Sequence, residues 1–240
     1  MKKIIVSLVL VVLALQLSAQ NTPVGATQPE YVGVESAQQE LREISLSKFE
    51  DDGIWLSYMP GDHGFISLRR FEGGPLDKVA VVGEEENNIK EDDKFVLGGK
   101  VLHLRRAVTY FQIKPIRPIA IPGITKTLSM WVVGRNVNHK LFVIIRDHFG
   151  NRAKIPMTDG ISEGLAFTGW RRVYATIPAH IKQTDPRYNN KQGVMISEFL
   201  IETDPAETYG SYFFYFDDLR AVVDLFAENN RDSDDMADFW

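Results

Sequence analysis

Leu141-Phe-Val-Ile-Ile-Arg-Asp147, followed by His148-Phe149-Gly150 and then Asn151-Arg-Ala-Lys-Ile155, is the stretch that decides the fold. Branched and aromatic residues fill both arms, as pleated, half-buried strands require. Gly150 supplies the positive φ that a tight turn demands. The stretch therefore reads as a β-hairpin. The same signature recurs outward in both directions. Candidate strands lie at residues 65–71, 79–82, 100–106, 109–113, 127–133, 140–146, 152–156, 171–177, 198–202 and 212–223, separated by Gly, Pro, Asn and Asp. Many short strands in one body imply an antiparallel β-sandwich. One helix is expected, over residues 35–46, because Ala37, Leu41 and Ile44 recur at i, i+4, i+7.

The first residues read as a targeting segment. Lys2 and Lys3 form a positive start, residues 4–15 an almost unbroken apolar run, and Leu17 and Ala19 are compatible with signal-peptidase cleavage after Ala19. That run is short for a membrane span, and no second one follows, so an exported chain without a membrane span is expected. Four parts result: a signal peptide over 1–19, an N-terminal arm with its short helix over 20–46, a sandwich over 47–224 and an acidic tail over 225–240. The chain contains no cysteine, which excludes disulfides, a lipoprotein anchor, thiolate metal sites and cysteine nucleophiles. Its formal charge is -5, and loss of Lys2 and Lys3 makes it more acidic still. An acidic chain argues against nucleic acid, which needs a concentrated basic stripe.

Catalytic patterns are missing as well. The five histidines form no i, i+4 pair and no H-E-x-x-H motif, and the glycine-containing turns Gly61-Asp-His-Gly64 and Gly73-Gly74-Pro75 match neither a Walker nor a dinucleotide fingerprint. Trp131 sits in an apolar stretch and reads as core, while Gly169 before Trp170 places that ring at a sheet edge as the better surface candidate. Arg135, Asn136 and Asn138 follow Gly134 at a strand end. They read equally as a turn, in which Asn caps backbone groups, or as a guanidinium fork and two amides presented to a partner. Phe239 and Trp240 close an otherwise acidic tail and are candidate anchors on another subunit. The pairs Arg69-Arg70, Arg105-Arg106 and Arg171-Arg172 are possible receivers for acidic groups.

Several pieces occur in an order that resembles the flagellar filament outer-layer (sheath) proteins of spirochaetes, the FlaA family. They are Arg117-Pro-Ile-Ala-Ile-Pro-Gly-Ile-Thr-Lys126, Ser129-Met-Trp-Val-Val-Gly-Arg-Asn136 with Asn138-His139, Asp147 and Gly150, Phe167-Thr-Gly-Trp170 leading to Ile177-Pro178, Ile201-Glu-Thr-Asp-Pro205, and Tyr215-Phe-Asp-Asp-Leu-Arg220. The resemblance spans about residues 95–221. It implies a structural, non-enzymatic protein of the periplasm that coats core flagellin subunits alongside other sheath proteins and copies of itself. Filament shape, stiffness and motility would depend on it, and a glycan on the core is a further possible contact. A more distant resemblance links Phe49-Glu50-Asp51-Asp52 with Trp55, and Phe216-Asp-Asp-Leu219, to the terminal strands of carbohydrate-binding jelly-roll modules. It implies a jelly roll, with Glu50, Asp52, Asp217 and Asp218 as candidate ligands of a structural calcium. The competing view of these acids is an ordinary strand end with a salt bridge, Asp217 and Asp218 pointing to opposite faces. The rival function is a periplasmic carbohydrate-binding module.

Overall fold

The hairpin is present with the expected limits, as β8 (Lys140–Arg146) and β9 (Arg152–Pro156) in register Phe142 to Pro156 through Arg146 to Arg152. The computed structural model describes residues 40–81, 93–162, 164–185 and 193–226. The other strands are β1 (Leu41–Ser47), β2 (Trp55–Tyr58), β3 (Gly64–Glu72), β4 (Phe95–His103), β5 (Tyr110–Pro115), β6 (Ile119–Ala120), β7 (Ile124–Arg135), β10 (Thr168–Thr176), β11 (Met195–Glu202) and β12 (Gly210–Asp224). They form two antiparallel six-stranded sheets. The first runs β10-β7-β12-β4-β3 with β1 on β12; the second runs β2-β5-β11-β8-β9 with β6 on β11. The expected all-β sandwich of jelly-roll type is therefore the fold. Among the described residues no helix is long and apolar enough to cross a membrane.

Alternation along the strands builds the core. In β12, Tyr212, Phe214 and Phe216 are buried while Phe213 and Tyr215 face the other way. Phe111 and Ile113 of β5, Val143 and Ile145 of β8, and Phe199 and Ile201 of β11 meet them from the second sheet. Phe49 and Trp55 close one end, their rings stacked at 4.7 Å and both tilted against Phe199. Full burial of such rings contributes on the order of 2–3 kcal/mol each, which is how a chain without disulfides holds together.

Three expectations change. Where it is described, the segment expected as helix is strand β1, paired with β12 from Leu41 opposite Asp224 to Ser47 opposite Leu219. Its apolar residues fit a period of two as well: Ile44 and Leu46 both pack on the core. The β12 ladder then satisfies the backbone groups, and the tertiary pairing overrides the helical spacing. The body accordingly begins at Leu41 rather than after residue 46. Second, β4 begins at Phe95, five residues before the expected strand. Gly98 and Gly99 resemble turn punctuation, yet they sit mid-strand. A Cβ on Gly98 would lie 2.5 Å from Phe71 and 2.9 Å from Tyr215, and one on Gly99 would collide with the Phe214 ring. Third, residues 79–81 form no strand; the Val79 carbonyl accepts from the Arg220 side chain rather than from a ladder. The signal peptide, most of the arm and the tail beyond residue 226 lie outside the described residues.

Candidate functional site

The outer face of the first sheet gathers most of the residues singled out above. Tyr215, pointing away from the core, stands opposite Gly98 of β4. The missing side chain there lets Phe71 of β3 reach Tyr215, the rings edge-on at 5.5 Å. Trp170 of β10, half-buried and paired with Val133, comes to 6.5 Å from the same tyrosine ring. Arg135, at the end of β7, holds its guanidinium 5.6 Å from the Tyr215 centroid, a distance at which ring and cation attract. Phe71 and Phe213 are 44% and 41% exposed, and Phe65 and Leu102 continue the apolar surface where β3 pairs with β4. Lys100 and Arg69 lie among them, Lys100 5.8 Å from the Phe213 ring. The result is an exposed strip of rings interleaved with cations. Such strips mark interaction surfaces.

The turn that positions Arg135 is built from the two asparagines. Asn136 adopts the left-handed conformation at φ 54 and donates its backbone N–H to the Phe167 carbonyl at 2.8 Å. The Asn138 side chain and backbone N–H groups both donate to the Glu207 carboxylate, at 3.0 and 2.7 Å. Both therefore act as turn residues. Arg135 is the one of the three left displayed, and it makes no ion pair among the described residues. Gly169 has φ +79 but lies within β10, paired with Gly134, so the turn expected before Trp170 is a strand position instead; β10 is nevertheless at the edge of its sheet. Trp131 departs from expectation: opposite Asp217 and Arg172, it faces outward and is half-buried, while Leu128, Met130 and Val132 take the core positions. The alternation of β7 decides this, with Ser129 and Trp131 in one phase and Leu128, Met130 and Val132 in the other.

Below the strip the face is covered and charged. The segment after β3 lies across it, with Gly74 against Asp217 and Val96. Lys78 donates to Asp217 at 2.6 Å and also reaches Asp93. Asp217 is 0% exposed, and burial pushes its pKa up to about 7 against the pull of Lys78. Lys78 itself is raised, its two carboxylate partners outweighing the burial that would lower it. Next to this pair, Arg220 binds Asp218 through Nε and Nη2, each at 2.7 Å, and donates to the Val79 carbonyl. Glu43 of β1 accepts from both Arg220 and Arg172 at 3.3 Å, and Arg172 also donates to Ser129 at 3.2 Å.

Asp217 and Asp218 do not point to opposite faces. β12 bulges here, so that Asp217 opposes Trp131 and Arg220 opposes Ser129, with Asp218 at φ 52 between them. One extra residue turns both acids toward the outer side. Glu50 and Asp52 do not join them. Glu50 accepts from the Lys94 and Phe95 N–H groups at 2.8 and 2.9 Å, and Asp52 accepts from the Arg70 N–H at 3.3 Å. The four expected calcium ligands are thus split among protein donors. Among the described residues no group of three or more His, Asp or Glu side chains could hold a metal. Ammonium and guanidinium groups play the part of the cation. Arg220, two residues from Asp218, was in view in the sequence as a group that could offset a buried carboxylate there; Lys78 had no signal beyond its charge, because its contact with Asp217 spans 139 positions. Phe239 and Trp240 lie outside the described residues.

The other arginine pairs are mostly occupied locally. Arg105 binds Asp62 at 2.5 Å, Arg106 lies over Tyr209 at 5.0 Å, and Arg171 binds Asp159 at 2.6 Å.

Comparison with known proteins gives this arrangement a context. A family model for the flagellar filament outer layer protein matches residues 17–231. A putative flagellar filament outer layer-like protein of Brachyspira hyodysenteriae is 39% identical over 195 residues, covering 81% of this chain and 85% of that one. Among solved structures, a carbohydrate-binding module of the β-sandwich superfamily aligns with TM-score 0.47 at 12% identity, over 75% of this chain and 61% of that chain. The family 11 carbohydrate-binding module of a Clostridium thermocellum cellulosomal cellulase aligns with TM-score 0.40 at 12% identity, over 75% of this chain and 94% of that chain. With a match across most of its length, and a relative this similar over four-fifths of it, the chain belongs to the flagellar filament outer layer protein family.

Proposed function

We propose that this chain, after loss of residues 1–19, is a sheath subunit of a periplasmic flagellar filament, laid on the flagellin core through the aromatic and arginine-bearing face of its first sheet. The observation that carries this reading is the strip formed by Phe71, Tyr215 and Trp170 with Arg135 above it. Rings and arginine are the groups from which interface anchors are made. A single such contact is modest. Many copies in register along a polymer add up, since each bound subunit holds its neighbours near the filament. An uneven coat would bend and stiffen the filament and so act on motility. The role is structural, with no chemistry asked of the chain.

Co-sedimentation with purified filaments tests this. Trp170→Ala and Arg135→Ala together are expected to lower coating about tenfold, corresponding to about 1.4 kcal/mol of binding, while the thermal midpoint of the isolated protein changes little. Unchanged coating by the double variant would remove this face from the interface. The same half-buried rings favour one other reading, a pyranose stacking on the outward faces of Trp170 and Tyr215. Saturable binding of a soluble oligosaccharide, lost in Trp170→Ala, would support that reading.

A further inference from the structure

At the corner where β12 ends, a groove of about 940 Å³ lies between the start of β7 and the segment after β10. Ile124, Phe149, Ile177 and Ile181 line it, and Lys126 and Lys182 stand on its rim. Phe149 is 53% exposed, with the Lys182 ammonium 5.5 Å from its ring centroid. The walls are fixed in place. The Gln183 side-chain amide donates to the Thr125 carbonyl and accepts from the Thr125 N–H, both at 2.8 Å. His148 donates its N–H to the Lys182 carbonyl at 2.9 Å, which ties the β8–β9 turn to the same wall. The concavity is therefore built from three separate parts of the chain, and it presents apolar surface with two lysines, Lys126 and Lys182, and one carboxylate, Asp185, in its lining.

The chain leaves the sheet beside this groove. Asp224 pairs with Ile124, itself a lining residue. The C-terminal tail is complementary to the groove in both charge and apolarity. Residues 227–240 carry Glu228, Asp232, Asp234, Asp235 and Asp238 against Arg231, and they include Phe239-Trp240. Carboxylates match the lysines of the rim, and two large rings match the lining. The arm before β1 is a poorer fit. β1, which it precedes, pairs with β12 on the side away from β7, and residues 20–39 contain Tyr31, Glu30 and Glu35 but no Phe or Trp.

We propose that residues 227–240 dock in this groove of their own chain, with Phe239 and Trp240 against Ile177, Ile181 and Phe149 and the acids facing Lys126 and Lys182. A tethered segment acts at an effective concentration in the millimolar range, so a tail anchored at the groove's own wall outcompetes the tail of another copy in dilute solution. The inference stands apart from the reading of the aromatic strip, which lies elsewhere on the sandwich surface. It also concerns this chain's own tail, because the family match stops at residue 231.

The absence of cysteine makes disulfide trapping direct. Ala179 lines the groove and is exposed, while Ser67 is an exposed residue of β3 in the first sheet. In the full chain at low micromolar concentration, Ala237→Cys with Ala179→Cys is expected to close an intrachain disulfide about tenfold faster than Ala237→Cys with Ser67→Cys. Adding Phe239→Ala and Trp240→Ala should bring the first pair down to the rate of the second. Equal rates for the two pairs, trapping indifferent to loss of the rings, or cross-linking into dimers alone would each overturn the proposal. The last outcome would assign the tail to a second copy.

Discussion

Asp217 and His139 are buried groups whose protonation pulls stability in opposite directions. Burial raises Asp217 to about 7, above the unfolded carboxylate value near ~3.9. The folded state therefore holds the extra proton between those values, and stability falls as pH rises through that window. His139 is lowered to about 4 by burial, with a smaller push from His103. Its Nδ1 accepts from the Asp204 N–H at 3.3 Å, which requires the neutral ring. The unfolded imidazole takes up a proton below about 6.5, so this group makes stability fall as pH drops from there toward 4. Each slope reaches about 1.4 kcal/mol per pH unit, and the two oppose. Urea unfolding of the native chain should therefore vary little between about pH 4.5 and 6.5, whereas Asp217→Asn should gain stability with rising pH over that range. A flat profile for the variant would contradict a lowered His139, and a native profile that rises as steeply as the variant's would contradict a raised Asp217. Gly99 is a second decisive position. Gly99→Ala pushes a methyl into Phe214, and a loss of about 1–3 kcal/mol is expected in the same assay. A stability unchanged from the native chain would mean that β4 can shift to admit the methyl.

At the scale of elements, β12 organises the first sheet. Its first half, residues 210–216, pairs with β4, and its second half lies between β7, from Phe216 on, and β1, from Leu219 on. The bulge at Asp218 is where the ladder changes partners, and it is also where the buried charges collect. Arg220 holds three groups there: Asp218, Glu43 and the Val79 carbonyl. Arg220→Met would leave Asp218 with Arg172 at 4.0 Å and Glu43 with Arg172 at 3.3 Å, and a loss of about 3–5 kcal/mol is expected because a poorly paired buried charge is expensive. Arg220→Met combined with Asp218→Asn should recover part of that loss. If the single variant loses under about 1 kcal/mol in chemical unfolding, the cluster does not hold β1 and the covering segment in place.

For the whole molecule, the sandwich is a platform. One sheet turns rings and cations outward, and the corner at the end of β12 carries a groove. Lys78 and Arg220 pair with Asp217 and Asp218 at the strand end from within the protein. Calcium in millimolar amounts, or a chelator, should therefore move the thermal midpoint by less than about 1 °C, since a site-bound ion would raise it by mass action. A rise of several degrees would show that calcium displaces the Lys78 ammonium.

Much of the fold was legible in the residues. The hairpin of β8 and β9 needed only its alternating branched residues and Gly150, and most other strands followed the same local rule. Local rules failed where the partner was distant. β1 reads as a helix until β12 supplies its ladder. β4 reads as starting at residue 100 until Phe71, Tyr215 and Phe214 are seen to claim the space beside Gly98 and Gly99. Trp170 was legible as a surface residue, and Arg135 as either turn or display. The asparagines beside Arg135 proved to be turn, because Glu207, 69 positions away, binds Asn138. By itself, then, the sequence determined the class of fold, the family and the strands whose alternation is unambiguous. The tertiary structure alone decided which face each ring occupies and which charges meet. Facing and pairing depend on register and on one bulge at Asp218, and these are set by contacts between strands far apart in the chain.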